Sequence, residues 1–315
     1  MPFTLIKGTF HLVNKSAGGR LTGFQPDGDS LHFKPANPSL LDKLEKIALP
    51  YKPSTIGSVQ LRFEGIDALE LHYQPKSAGS THQPRPLADN ARDFLTGLLN
   101  LNPVPYVAPR NISVDPPVEH DAMPGYILSR SLEVNGRPVS FVFAGKTTRK
   151  DGSTANLTVA MLKRSINYKL VLNGHAYPLF YDTLFAELRN VLAEATRQAR
   201  AGNLGLWAHD ASQTGFPARN QQDLETGGVT FPKLFRRVAD YFAITHDTLS
   251  NFLKWLKKTR EQVQDLDSNS PTFTNVTHFD NMVRVEDGRV ALRQTPETML
   301  FISAKSTREA FVSLP

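Results

Sequence analysis

Two short acidic segments carry the side chains of this sequence best suited to phosphate chemistry. The first is Asp27-Gly28-Asp29-Ser30, which leads into the alternating run Leu31-His32-Phe33. The second closes the stretch Arg62-Phe63-Glu64-Gly65-Ile66-Asp67-Ala68-Leu69-Glu70. There Leu61 and Phe63 alternate with Arg62 and Glu64 in the manner of a strand. The Gly65-Ile66-Asp67 step breaks the alternation and is expected to leave Asp67 and Glu70 on a turn. Carboxylate oxygens are hard donors for a divalent ion, and a guanidinium is a planar fork for phosphate. Taken singly, each feature is ordinary. Asp-Gly steps form turns and acidic side chains usually line solvated surfaces.

The elements that would position these groups are legible from periodicity. Segments 3–5, 10–13, 31–33, 59–63 and 69–73 alternate as strands, and 126–134 with 138–143 read as a hairpin joined at Asn135-Gly136. Residues 35–54 carry Leu40, Leu41, Leu44 and Ile47 and read as a short amphipathic helix between the acidic segments. A helix ending near Asn100 follows from Leu87, Ala91, Phe94, Leu95 and Leu98. The proline-rich run 103–124 is expected to wind over the surface, 156–162 to add a strand and 166–172 to form a short helix. Leu184, Leu188, Val191, Leu192, Ala195 and Ala199 mark one face of a long helix stopped by Gly202. Residues 213–229 are polar and read as a linker. Beyond it, Pro232 opens a helix, Thr248 caps another, and strand-like pieces lie at 282–285 and 299–302.

In their order along the chain, these motifs resemble the staphylococcal-type thermonucleases. The D-G-D-T/S turn of that family reads Asp27-Gly28-Asp29-Ser30 here. Its R-x-x-x-x-D-T-P-E turn reads Arg62 through Glu70, with Ala68 for the usual Thr and Leu69 for the usual Pro. Ser165-Ile166-Asn167 through Asn173-Gly174 is similar to its next helix and turn, and Gly205-Leu206-Trp207 to the close of its last helix. The resemblance covers roughly residues 10–212, with insertions, and four ordered motifs are harder to meet by chance than one. It implies an α+β, mainly β fold: a five-stranded barrel of the oligonucleotide-binding (OB) kind with packed helices. Residues 1–212 would be this nuclease domain, with insertions at about 34–56 and 103–160. Residues 230–315 would be a small accessory α+β module, able to leave without unfolding the barrel.

The resemblance also assigns roles. Asp29, Asp67 and the backbone carbonyl of Ala68 would hold a calcium ion. Glu70 would orient or deprotonate the attacking water, and Arg62 would clamp the phosphate. A second phosphate arginine is expected in a G-R step before a strand. Gly136-Arg137 fits it, with Arg149 and Arg164 as the alternatives. Phe180 and Tyr181 lie where that family contacts the nucleotide, and either could stack on a base. The expected activity is calcium-dependent hydrolysis of DNA or RNA phosphodiesters, leaving 3′-phosphate ends. The rival expectation is an inactive barrel of the same kind that binds nucleic acid or a protein partner.

Composition bounds these readings. A chain of 315 residues with 40% hydrophobic and 21% charged side chains can bury a full core. Its net charge of +6 suits a polyanionic partner. The absence of cysteine excludes disulfides, thiolate metal sites and thiol catalysis. No histidine pair has ligand spacing. Met1-Pro2-Phe3-Thr4 opens no signal peptide and no apolar run reaches membrane-spanning length, so the cytoplasm is the expected location. Lys233, Arg236, Arg237, Lys254, Lys257, Lys258 and Arg260 give the last helices a basic character. They could hold nucleic-acid backbone, be a solvated face, or serve a protein partner or dimer.

Overall fold

A computed structural model describes residues 2–101, 106–108, 111–112, 121–245, 248–270 and 274–303. The proline-rich part of the second expected insertion lies largely outside them. The chain forms two compact units. One comprises Met1–Glu64 and Asn90–Leu170, the other Gly65–Asp89 and Val171–Pro315. The division therefore falls inside the Arg62-to-Glu70 motif and not at an accessory boundary near residue 212.

The first unit is built on a curled sheet. Its strands are β1 (Phe3–His11), β2 (His32–Pro35), β3 (Val59–Gln60), β4 (Arg62–Phe63), β5 (Met123–Leu132) and β6 (Pro138–Ala144). The order is β3-β2-β1-β5-β6-β4. Only Leu61 separates β3 from β4, so the two ends of the order meet on one extended segment and the sheet nearly closes into a barrel. Along this order the pairings are antiparallel except β4 with β6, which is parallel, with Val139 opposite Arg62 and Ser140 opposite Phe63. Leu5, Phe10, Phe33, Phe63, Ile127 and Phe141 are buried in this unit.

Two glycines allow the curl. Gly8 and Gly125 face each other across β1 and β5. A Cβ on Gly8 would lie 2.2 Å from the Lys34 carbonyl oxygen, and one on Gly125 would lie 2.3 Å from the Phe10 ring. Without side chains at this crossing, the Phe10 and Phe33 rings pack with centroids 5.1 Å apart.

Two local expectations for this unit differ from what forms. The helix expected over 35–54 is a single turn, Ser39–Asp42, because the chain then extends as Glu45–Lys46 and pairs with β5. In place of a strand over 156–162, the Thr158 hydroxyl accepts the Met161 N–H and caps a helical turn, Val159–Leu162.

His32 stacks on Phe24 with ring centroids 3.5 Å apart, and its Nδ1 lies 3.0 Å from the Ser58 hydroxyl. Burial, and then the charge of His11, lower its pKa from 6.5 to about 4. The folded state thus holds the ring neutral where the unfolded chain would already bind a proton. Stability should be flat above pH 6.5 and fall as pH drops toward 4, by roughly 3 kcal/mol. Denaturant titrations of the parent and of His32→Phe across this range check the point, and an equal acid loss in both would remove His32 as its source.

The second unit mixes helices and short sheets around its own core. Tyr177, Leu179, Trp207, Phe216, Leu224, Phe231, Phe235 and Phe301 pack in one buried cluster with Leu69 and Leu71. Residues 213–229, expected as a linker, carry the strand Phe216–Pro217 and the helix Gln221–Thr226. They insert Phe216, Ala218, Leu224 and Val229 into this core. Polar composition hid those anchors because they stand singly. No helix among the described residues is long and apolar enough to cross a membrane.

Candidate functional site

In the barrel unit, the first acidic turn is tight. The Asp27 N–H donates to the Ser30 carbonyl, and the Asp27 carboxylate accepts the Gly28 N–H at 2.9 Å. The turn lies beside the strand that bears Arg62. Phe63 N–H donates to the Asp29 carbonyl at 3.2 Å, and Leu61 N–H to that of Leu31 at 2.9 Å. On its other edge that strand pairs with β6, whose first residue follows Arg137. Backbone pairing thus sets the turn that bears Asp29 and the strand that follows Arg137 on either side of the strand that bears Arg62.

Asn167 ties these strands together. Its side-chain oxygen accepts the Val142 N–H, and its amide donates to the carbonyls of Glu64 and Ser140, at 2.9 to 3.0 Å. The sequence singles this residue out only as part of a motif. Its task here is to satisfy buried backbone groups where β6 meets the Arg62 segment.

The charged groups around Arg62 and Arg137 have partners. Glu64 is buried, and burial pushes its carboxyl up in spite of the opposing charges of Arg130 and Arg62. Arg137 donates through Nε to Glu133 at 3.2 Å across the Asn135-Gly136 turn, with its side chain 28% exposed. Gly136 has φ +82°, and a Cβ there would lie 2.1 Å from the Pro50 carbonyl oxygen, so the turn needs glycine. Of the alternatives to Arg137, Arg149 is exposed with one guanidinium nitrogen 3.9 Å from the Met161 sulfur, and Arg164 is also exposed.

In the other unit the acids are not on an open turn. Ile66–Ala68 is a strand, antiparallel to Ala176–Pro178, with Tyr177 opposite Asp67. Asp67 is 1% exposed and Ala68 is buried. The partner of Asp67 comes from far along the chain. Arg236, on the helix Pro232–Thr245, donates to both Asp67 carboxylate oxygens, at 3.0 and 2.9 Å, and also to Glu70. Burial alone would weaken the Arg236 charge, but the Asp67 and Glu70 carboxylates more than offset this and hold its pKa well above the usual value.

Neighbouring cations of that helix are also engaged. Arg237 and Lys233 both bind Glu261, Arg237 also reaches Asp240, and Asp240 accepts the Tyr73 hydroxyl. Burial would raise the Glu261 carboxyl, yet the Lys233 charge and the Arg237 bonds hold it far below its usual range. These three basic residues, which could have been a solvated or nucleic-acid-binding face, are paired with acids, Lys233 buried and the two arginines partly so. Phe180 is 1% exposed, which leaves no ring face for a base, because its strand pairs with Met299–Phe301. Tyr181 is half-buried, with its hydroxyl 3.3 Å from the Lys233 ammonium.

The fit to a cation is therefore specific. Among the described residues, no group of three or more His, Asp or Glu side chains could hold a metal ion. Asp67 and Glu70 do converge on one cation, and it is the Arg236 guanidinium. Their hard oxygen donors would suit calcium equally, so the two cations would compete for them. Neither a family model nor a curated protein matches the chain.

Proposed function

We propose that the chain is a calcium-dependent nuclease of the thermonuclease type, built on an OB-fold barrel, that hydrolyses phosphodiester bonds of DNA or RNA. The observation that carries this reading is that the Asp29 turn and β6, which begins directly after Arg137, both pair with the strand that bears Arg62. The strand order supports the OB assignment. With β3 and β4 counted as one strand, five strands run 1-2-3-5-4 and return to 1, with one parallel pair. Charge distribution agrees with a polyanionic partner on the barrel. That unit has 18 Lys and Arg against 11 Asp and Glu, a net +7, while the other has 18 against 19, a net −1.

In this reading Arg62 and Arg137 hold phosphate oxygens through their guanidinium forks. Glu70 orients or deprotonates the attacking water. Asp29, Asp67 and the Ala68 carbonyl are the groups that the resemblance names for calcium. When bound, the ion would polarise the phosphate and offset charge developed in the transition state. Cleavage of labelled single- and double-stranded DNA and RNA should stop in excess chelator and return with calcium. Undiminished cleavage in chelator would refute the calcium requirement.

The Arg236 ion pairs favour a second reading, a barrel that binds nucleic acid without cutting it. Binding with no cleavage at any calcium concentration would select that reading.

A further inference from the structure

Residues 145–165, which follow β6, gather positive charge on the barrel unit. They hold Lys146, Arg149, Lys150, Lys163 and Arg164 against one acid, Asp151, a net +4 of the +7 that the unit carries. All five cations are exposed, and among the described residues none of them pairs with an acid. Asp151 is engaged elsewhere, its carboxylate accepting the Lys7 N–H at 2.8 Å. Like charges held together without an acid repel one another, so the fold itself gains nothing from the cluster.

The segment is fastened to the sheet by its backbone. Gly152 N–H donates to the Leu5 carbonyl and Leu5 N–H to that of Ser153, at 2.8 and 2.9 Å, and Thr154 then pairs with Thr4 on β1. The turn Val159–Leu162 returns the chain and brings the Met161 sulfur to 3.9 Å from an Arg149 guanidinium nitrogen. Arg164 N–H donates to the Met161 carbonyl at 3.0 Å, so the two ends of the segment meet at one residue. They meet near Tyr126 of β5, which stands opposite Lys7 and stacks on Phe143 with ring centroids 4.7 Å apart. Burial raises the Tyr126 phenol, and the charges of Arg164 and then Arg149 oppose that rise. The seven residues of β6, roughly 23 Å of strand, separate this cluster from Arg137.

From this arrangement we propose that residues 145–165 form an anchoring surface for nucleic-acid backbone, apart from the Arg62 strand and centred on Arg149 and Arg164. The inference rests on the reading above only for the class of polyanion, and it requires no cleavage. A backbone ligand fits the chemistry of the segment. Its cations are exposed for phosphates, and the exposed Thr148, Thr154 and Asn156 can donate to phosphate oxygens. An anionic membrane fits less well, because stable attachment needs an apolar anchor beside the charge. The segment exposes no large hydrophobic side chain.

Fluorescence anisotropy tests this with the full chain and a labelled DNA duplex of about 30 base pairs, in chelator, between about 50 and 200 mM salt. The proteins are the parent, Arg149→Gln/Arg164→Gln, and the same pair with Lys150→Gln and Lys163→Gln added. Each neutralised phosphate contact contributes about 0.9 to the slope of log affinity against log salt. The double variant should therefore flatten the slope by about 2, and the quadruple variant by about 3 to 4. At the lowest salt the quadruple variant should bind about tenfold or more weakly than the parent. Arg149→Lys/Arg164→Lys keeps the charge and should keep the parent slope, which separates lost contacts from a damaged fold.

Lys254→Gln/Lys257→Gln removes two exposed cations from the other unit and should leave the slope unchanged. An equal fall there would assign the effect to overall charge and overturn the inference. So would equal slopes in the parent and the quadruple variant, or no binding by the parent. Vesicles of anionic phospholipid are titrated alongside. If the quadruple variant loses vesicle binding and keeps its DNA slope, the surface serves a membrane and the inference falls. Calcium-dependent cleavage is assayed separately. A parent that binds through this surface without cutting removes the nuclease and leaves the anchor, and cleavage with unchanged slopes does the reverse.

Discussion

A chain ending at Gln213 is expected to be insoluble, or to lack any cooperative unfolding of its second unit. The cut would strip Phe216, Phe231, Leu234, Phe235, Val238 and Phe301 from one continuous core. Left behind would be Leu69, Leu71, Tyr177, Leu179, Leu206 and Trp207, all buried in the intact chain. Exposing six such side chains costs about 1.5–3 kcal/mol each, roughly 10 kcal/mol or more in total. That is of the order of the whole stability of a typical domain, about 5–15 kcal/mol. Asp67 would also lose its cation, and a buried carboxylate without its partner is strongly destabilising. Expression, size-exclusion chromatography and thermal unfolding of residues 1–213 check the expectation. A soluble monomer with a single sharp transition would show that residues 214–315 are dispensable after all.

This expectation departs from the independence read from the sequence for residues 230–315, because the described side chains share one core with the preceding part of their unit. The pattern of Leu, Phe and Val around 232–245 announces an amphipathic helix correctly. It is silent on what the helix packs against. The ring contacts of Phe235 with Tyr73 and of Phe231 with Tyr177 join parts of the chain more than fifty residues apart, and local periodicity has no access to them. The same holds for charge. Arg236 looks in sequence like one of seven cations on a basic face, because its partner acids lie 166 and 169 positions upstream. A buried ion pair and a solvated arginine have the same local spelling.

More of the barrel was legible. The strands at 3–11, 59–63 and 138–144 follow from alternating apolar residues, and the turn at Asn135-Gly136 from its dipeptide. The acidic motifs set Asp29 and Arg62 in one candidate site, and the Phe63 N–H beside Arg62 donates to the Asp29 carbonyl of the turn. Residues 66–68 were misread as a turn because Gly65 interrupts the alternation. At φ +77° this glycine bends the chain where a Cβ would strike the Leu192 side chain at 2.7 Å, and a new strand starts immediately after it.

Arg62 offers the sharpest test of the chemistry, because its environment admits a competing explanation. Burial raises the Glu64 carboxyl, and the Arg62 charge, after that of Arg130, opposes the rise, so charge at position 62 could serve only the barrel's internal balance. Arg62→Lys separates the two roles. A lysine retains the positive charge near Glu64 and should leave the unfolding midpoint close to that of the parent. It lacks the planar fork that can hold two phosphate oxygens at once. If Arg62 clamps phosphate in the transition state, kcat should fall by about 10² or more, the usual scale for loss of one preorganised donor. The loss should appear in kcat and kcat/KM together, since a bond made only in the transition state leaves substrate binding little changed. Cleavage kinetics at saturating calcium, with melting curves on the same preparations, measure both effects. Near-normal turnover in Arg62→Lys would assign Arg62 to the balance of Glu64 and move the clamp to another arginine. Arg137 would be the first to examine, since its present bond to Glu133 is one that a phosphate could exchange.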